Sequence, residues 1–323
     1  MQQCAVSLLR AGFAAPQKIV AAVSGGPDSL ALLLMLHQLY GEAVIAITVD
    51  HGLRAESAEE ARYVGAICAA RGIPHHVLHW KGEKPVANIQ AAARAARYAL
   101  LRDWCVRHDI FWVASAHHAD DQAETLLMRL QRGTGLAGLS GIRLVRSLGD
   151  GVRLVRPLLQ LRRASLIAYV ADAGLKAVDD PSNQDSRYKR VQVRSQLAQA
   201  QAQAAGLDVA GLAETVERLA QAEAALSWTA DRAAEGRLRV TPKGLEIDAA
   251  DLPAELQRRL LAAAILRLSG QPVARGPDLE RLHERLLCGG TGTLQGVEVR
   301  GVGLWRARNV PLRTQKQAAR TGK

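Results

Sequence analysis

The chain has 323 residues, 48% of them hydrophobic, and a formal net charge of +11. That length accommodates two or three domains with a sizeable core. No apolar stretch is long enough to span a bilayer, and the first ten residues lack the charged start and long apolar core of a secretory signal. The four cysteines (Cys4, Cys68, Cys105 and Cys288) are scattered, with no CxxC pair. Their spacing argues against a zinc site or disulfide framework and for a reducing, cytoplasmic setting. Residues 1–150 carry 15 Lys and Arg against 13 Asp and Glu, whereas residues 151–323 carry 27 against 18. The positive excess thus lies in the second half and suggests a polyanionic partner, most simply nucleic acid.

In chain order, the first strand-like run is Ile19–Val23, apolar and partly β-branched, followed by a Leu- and Ala-rich helical segment over Ser29–Leu39. Between them stands Ser24-Gly25-Gly26-Pro27-Asp28-Ser29. A strand, a glycine turn and a helix N-terminus build an anion site, because backbone N–H groups converge there and the helix dipole favours negative charge. Asp28 would repel a phosphate unless Mg²⁺ sat between them, and magnesium commonly binds one or two carboxylates together with phosphate oxygens. The simpler possibility is an ordinary turn capped by Ser24 or Ser29. No Gly-Lys-Ser/Thr follows, so the segment is not a Walker loop.

The second strand, Val44–Val49, leads into Asp50-His51-Gly52-Leu53-Arg54. An acid at the end of this strand commonly meets the nucleoside part of a ligand, while His51 alone would serve equally well in packing. Helical patterns over Ser57–Arg71 and Asn88–His108 flank a strand at His76–Leu78, and a fourth strand runs over Trp112–Ser115. Strands alternating with helices predict an α/β fold with a doubly wound parallel sheet, whose site lies beyond the carboxyl ends of the strands. The fourth strand is followed by His117-His118-Ala119-Asp120-Asp121-Gln122-Ala123-Glu124-Thr125. Asp121 and Glu124 share a helix face, and His117 aligns with Asp121. Two histidines and three acids exceed what a helix cap needs; such a cluster can hold Mg²⁺ or a cationic amine. The glycine-rich segment 132–141 follows it as a flexible loop able to close over substrate. Segment 180–190, DPSNQDSRYKR, is dense in groups that contact RNA, with Arg187, Lys189, Arg190 and Arg194 for phosphates and Tyr188 for a base.

From about Gln196 the texture changes to Ala, Gln and Glu, with helical stripes through Leu212, Val216, Leu219 and Leu226 and again through Leu256, Leu260, Leu261 and Ile265. After Gly270 come a helix near Pro277–Leu287 and three β-like stretches at 289–294, 297–300 and 304–306, then a polar tail over 314–323. The expected organisation is therefore a nucleotide-binding domain over 1–195, a small helical domain over 196–269 and a short α+β segment over 270–323.

The segments SGGPDS (24–29), VDHGLR (49–54), Asn88 with Arg94, Arg97 and Tyr98, HHADDQAET (117–125), RGTGLAGLSGI (132–142), RPLL (156–159) and DPSNQDSRYKR (180–190) together resemble the tRNA(Ile)-lysidine synthetase family of PP-loop ATP pyrophosphatases. The first motif marks only the superfamily; the fourth and last are far more specific. GGTGTLQGVEVR and LWRAR resemble the end of family members, although 270–323 looks like a shortened form of that region.

The resemblance implies an adenine-nucleotide α-hydrolase-like fold and a ligase using ATP and Mg²⁺. Its expected partners are the isoleucine tRNA, tRNA(Ile), with a CAU anticodon and free L-lysine, with no membrane and with a homodimer as an open assembly. ATP would adenylate C2 of the wobble cytidine, and the lysine ε-amine would displace AMP. The loop Ser24, Gly25, Gly26, Pro27, Asp28 and Ser29, with Asp50 and His51, would bind the nucleotide. Asp28, Asp120 and Asp121 would hold metal. Asp28, His117, Asp121, Glu124, Arg190 and Arg194 would act in catalysis, the arginines by stabilising the adenylated intermediate. The alternative on the same scaffold is a tRNA sulfur transferase, which would need paired cysteines near the motifs. An amidating ligase of small molecules would not need the basic second half, and a plain RNA-binding protein would lack ATP turnover.

Overall fold

The computed structural model describes residues 1–15, 17–52, 57–82, 84–85, 87–178, 189–202, 208–273 and 276–310. Residues 53–54 of the second motif, positions 180–188 of the last motif and the tail over 314–323 lie outside the described residues. Two compact units divide the chain, residues 1–220 and residues 221–323. No helix is long and apolar enough to cross a membrane among the described residues.

Unit 1 begins with α1 (Gln2–Arg10) and β1 (Ile19–Ala22), followed by α2 (Pro27–Tyr40), β2 (Val44–Asp50), α3 (Ser57–Ala69) and β3 (His75–His79). Then come α4 (Ile89–Arg107), β4 (Trp112–Ala114), α5 (Ala119–Leu130), α6 (Leu136–Leu139), β5 (Val145–Gly149), β6 (Val152–Val155), α7 (Arg163–Asp172) and α8 (Lys189–Ala202). The strands form one sheet in the order β3-β2-β1-β4-β6-β5, parallel except for β5, which pairs antiparallel with β6 at the edge.

Alternation along the strands builds two cores. Ile19 and Ala21 pack with Leu33, Leu36, Val64 and Leu166 on one face, and Val20 and Ile47 pack with Leu101 and Trp104 of α4 on the other. Covering both faces is what a parallel sheet requires, and this is the doubly wound architecture. The chain leaves β1 toward β2 on one side and reaches β4 on the other, so the topological switch lies between β1 and β4. A ligand crevice is expected beyond their carboxyl ends, where both polar motifs sit.

Helix α9 (Val209–Arg237) contains the boundary between the units. Unit 2 adds β7 (Leu238–Thr241), β8 (Gly244–Asp248), α10 (Ala254–Ser269), α11 (Pro277–Leu287), β9 (Thr291–Leu294), β10 (Val297–Arg300) and β11 (Leu304–Asn309). Its strands make an antiparallel sheet ordered β7-β8-β11-β10-β9. One face buries Leu245, Ile247, Val299 and Trp305 against Leu261, Ile265 and Leu282 of α10 and α11. The hairpin β7-β8 falls inside the stretch read from sequence as purely helical. Its register joins β8 to β11 of the C-terminal segment, so strands from both sides of 269/270 lie in one sheet.

Candidate active site

The phosphate loop is built at the switch point. Gly25 has φ +84, a conformation costly for any residue with a side chain. A Cβ there would stand 3.3 Å from Val178 Cγ2, because the Val178 N–H donates to the Gly25 carbonyl at 3.0 Å. Gly26 is the N-cap of α2 and Pro27 occupies its first turn, as the fixed φ of proline favours. The Ser24 N–H donates to Ser29 Oγ (3.1 Å), and Ser29 Oγ donates to the Gly26 carbonyl (3.0 Å). The serines therefore brace the turn, while α2 aims its positive end into a cavity of about 660 Å³. Ser24, Gly26, Pro27, Asp28 and Ser29 line that cavity, together with His51, His117, Asp121, Arg190 and Arg194.

Helix α5 supplies the acids. His118 is its N-cap, and the His118 N–H donates to Asp121 Oδ2 at 3.0 Å, the spacing of a capping box. The His118 ring is only 3% exposed and lies between three carboxylates. Nε2 is 3.6 Å from Asp28 Oδ2 and 3.5 Å from Asp121 Oδ2, and Nδ1 is 3.6 Å from Asp120 Oδ2. Burial alone would depress its pKa, but Asp120, Asp28 and Asp121 outweigh it and raise it to about 9. His117 behaves oppositely. Burial, aided by Arg156, Arg94 and Arg190 and only partly opposed by Asp121, lowers it to about 3, and its Nδ1 is 3.0 Å from Ser115 Oγ. Two adjacent histidines are thus held in opposite charge states, His118 cationic and His117 neutral at pH 7.

Glu124 lies beneath the cavity wall and is 1% exposed. It is clamped by Arg190 Nε at 2.6 Å and Arg194 Nε at 2.7 Å, while Arg190 Nη2 reaches Asp121 Oδ1 at 2.7 Å. Burial opposes the charge on both Asp121 and Arg190, but their neighbours win, holding Asp121 below and Arg190 above its ordinary range. Both arginines are consumed by carboxylates, so they are not the free phosphate ligands that their motif suggested for RNA.

Of three expected residues, Asp50 and Asp120 are placed differently from the sequence reading and His51 is not. Asp50 does not line the cavity. Its Oδ1 accepts from the Gly52 N–H (2.8 Å) and Ser57 Oγ (2.7 Å), and Oδ2 faces His79 Nδ1 at 3.3 Å. It therefore ties the end of β2 to the first residue of α3. His51 does line the cavity, where Arg97 Nη2 reaches its Nε2 at 3.2 Å and burial, with Arg97, lowers it to about 4. Asp120 faces away from the cavity. Its Oδ2 accepts from the Arg163 N–H at 2.8 Å and sits 3.6 Å from Arg162 Nε. Two residues absent from the expected set stand at the centre instead: His118, and Arg163, whose Nε is 3.6 Å from Asp28 Oδ2. A His three residues before an acid at a helix start is a readable signal for the first; nothing local marks the second.

The donor set suits a hard cation in one place. Asp28 Oδ1 is buried without a hydrogen-bond partner and its residue lines the cavity beside Asp121. Two carboxylates facing a phosphate loop match how Mg²⁺ binds, with substrate oxygens completing its shell. No group of three or more His, Cys, Asp or Glu forms a ready-made metal cage among the described residues, and Asp120, outside the cavity lining, adds no ligand.

Residues 2–201 match the PP-loop domain family. The tRNA(Ile)-lysidine synthase of Novosphingobium aromaticivorans is 47% identical over 305 residues, covering 91% of this chain and 89% of that protein. The tRNA(Ile)-lysidine synthase of Zymomonas mobilis is 40% identical over 299 residues, covering 92% and 89%. Among solved structures, the U34-tRNA thiolase NcsA from Methanococcus maripaludis with its [4Fe-4S] cluster superposes with a TM-score of 0.57 at 19% identity, over 68% of this chain and 76% of that one, a likeness of fold. A PP loop and a buried His–acid–arginine cluster share one cavity, in a sequence alike over nine-tenths of its length: the chain belongs to the tRNA(Ile)-lysidine synthase family of PP-loop proteins.

Proposed function

We propose that this chain uses ATP to join L-lysine to C2 of the wobble cytidine of the CAU-anticodon isoleucine tRNA. The observation that carries the reading is the single cavity in which the Ser24–Ser29 loop faces His117 and Asp121. An ATP-splitting loop alone serves many acceptors; an acid cluster beside it provides for an amine.

In the first step the cytosine C2 oxygen attacks the α-phosphorus of ATP, the α–β phosphoanhydride bond breaks, and pyrophosphate leaves. The loop N–H groups and the α2 dipole hold the phosphates, and Arg163 lies at the same edge. Asp28 and Asp121 are the residues that would hold Mg²⁺, which when bound neutralises developing phosphate charge. In the second step the neutral ε-amine of lysine attacks C2, the C2–O bond breaks with loss of AMP, and a proton leaves the new C–N bond. Asp121 attracts the ammonium and takes that proton toward solvent. His117, held neutral, accepts a hydrogen bond without adding repulsion. Arg190 and Arg194 act by positioning: they fix Glu124, and Arg190 also fixes Asp121.

The sulfur-transfer alternative finds no thiol in this cavity: Cys4, Cys68 and Cys105 are buried elsewhere and Cys288 belongs to unit 2. Incubation with ATP, lysine and the tRNA transcript, followed by mass analysis of the wobble nucleoside, tests the proposal. Cytidine gaining lysine with loss of water supports it, and unchanged cytidine in the presence of all three substrates sinks it.

A further inference from the structure

Arg94, Arg97 and Tyr98 recur at i, i+3 and i+4 along α4, so they share one helix face, and all three line the cavity. Arg146 comes to the same tyrosine from β5, at the edge of the sheet. The guanidinium carbons of Arg94 and Arg146 lie 5.2 and 6.0 Å from the Tyr98 ring centroid. Arg156 supports them from below; it is 3% exposed, donates from Nη1 to the Arg143 carbonyl at 2.6 Å, and leaves Nε without a partner. None of Arg94, Arg97, Arg146 and Arg156 has a carboxylate partner among the described residues; the side-chain nitrogens of Arg94 and Arg97 meet only histidines. By contrast Arg102, further along the same helix, pairs with Asp103 and Asp150. Four like charges gathered without neutralisation are the complement of a polyanion.

The extent of the patch decides which polyanion. Arg94, Arg97 and Tyr98 face the cavity, but Arg146 is exposed beyond its lining. A ligand matching the whole strip is therefore longer than anything the cavity encloses. One part enters and the rest continues across α4 toward the sheet edge. A flanked aromatic ring among arginines suits a nucleic-acid strand, whose phosphates meet the guanidiniums while a base stacks on the ring. The geometry points to Arg94, Tyr98 and Arg146 as a landing strip for the RNA nucleotides adjoining the one whose base enters the cavity. This inference rests on the RNA-substrate reading above. It also places an RNA contact in residues 1–150, whose overall charge is nearly balanced, where the composition of the chain pointed to the second half.

The test is tRNA binding by the full chain, measured by fluorescence anisotropy with a CAU-anticodon isoleucine tRNA transcript at several salt concentrations, alongside ATP binding by calorimetry. Arg146→Ala should weaken tRNA binding and reduce the log–log salt slope by ~0.7, the value for one single-strand phosphate contact, with ATP affinity unchanged. Tyr98→Ala should weaken tRNA binding by about tenfold or more through lost stacking, whereas Tyr98→Phe, which keeps the ring, should retain it. Wild-type affinity and slope in Arg146→Ala, or a loss of ATP affinity alone, would overturn the strip while leaving the functional reading intact. A wild-type chain that does not bind the transcript would overturn both.

Discussion

Asp121 joins three features of the site: it accepts from the His118 N–H, pairs with Arg190 and lines the cavity. Asp121→Asn keeps the shape but removes the charge that would attract an ammonium and accept its proton. We expect lysidine formation to fall by ~100-fold or more while tRNA affinity stays within about twofold; near-normal turnover would remove Asp121 from the chemistry. The two histidines next to it set a pH window for stability. His118 is raised from 6.5 to about 9, so its contribution is complete below pH 6.5 and disappears as pH rises through 9. For this buried ring the shift corresponds to ~3 kcal/mol. His117 is lowered to about 3, so the unfolded chain binds more protons between pH 3 and 6.5 and stability falls as pH drops through that range. Thermal melts should therefore peak near neutrality. His118→Gln should flatten the alkaline limb and leave the acid limb in place; an unchanged alkaline limb would refute the assignment.

At the scale of elements, much of the site was legible because its parts are local. A β-branched run, a glycine pair and a Leu-rich segment specify strand, turn and helix within twenty residues, and the His–acid segment opens its helix where the spacing requires. What was not legible depends on partners far away in the chain. Nothing near Arg190 indicates that Glu124 will claim it, and Asp50 looks like a ligand until the Ser57 hydroxyl is seen to bind it. Short hairpins were also missed: β7 and β8 have four and five residues, and the hairpin joins the larger sheet only through β8, which pairs with β11. Two element-level predictions follow from packing. Gly25→Ala forces a side chain onto φ +84 and against Val178. Such strain costs of order 1–3 kcal/mol, and ATP affinity measured by calorimetry should drop about tenfold or more. In unit 2, Arg259 of α10 is 2% exposed at its side chain and bridges Glu223 of α9 (2.6 Å) and Glu255 (2.7 Å). Arg259→Met strands a buried carboxylate and should destabilise unit 2 by ~3–5 kcal/mol, whereas Arg259→Met with Glu223→Leu should recover most of that loss. Equal denaturation midpoints for single and double variants would contradict a paired burial.

At the scale of the whole molecule, a formal charge of +11 overstates what is available to a polyanion, because paired arginines are already neutralised. The outer face of the unit 2 sheet shows the distinction. Cross-strand register sets Arg239, Glu246, Arg306 and Arg300 in one row over β7, β8, β11 and β10. Arg306 is bound to Glu246 at 2.9 Å and neighbouring Arg308 to Glu298 at 2.8 Å, while Arg239 and Arg300 have no ion pair among the described residues. Counterion release depends on phosphates met by free cations, at roughly 0.7–0.9 of log–log slope per contact. If the basic second half contacts tRNA, wild-type affinity should fall steeply between low and moderate salt. Arg239→Ala with Arg300→Ala should then reduce the slope by up to ~1.8. Arg306→Ala should change it little, because removing that cation frees Glu246 and alters pairing rather than a phosphate contact. A salt-independent wild-type affinity would refute a phosphate-dominated interface. A slope altered by Arg306→Ala as much as by the double substitution would show that charge count, and not pairing, governs the encounter.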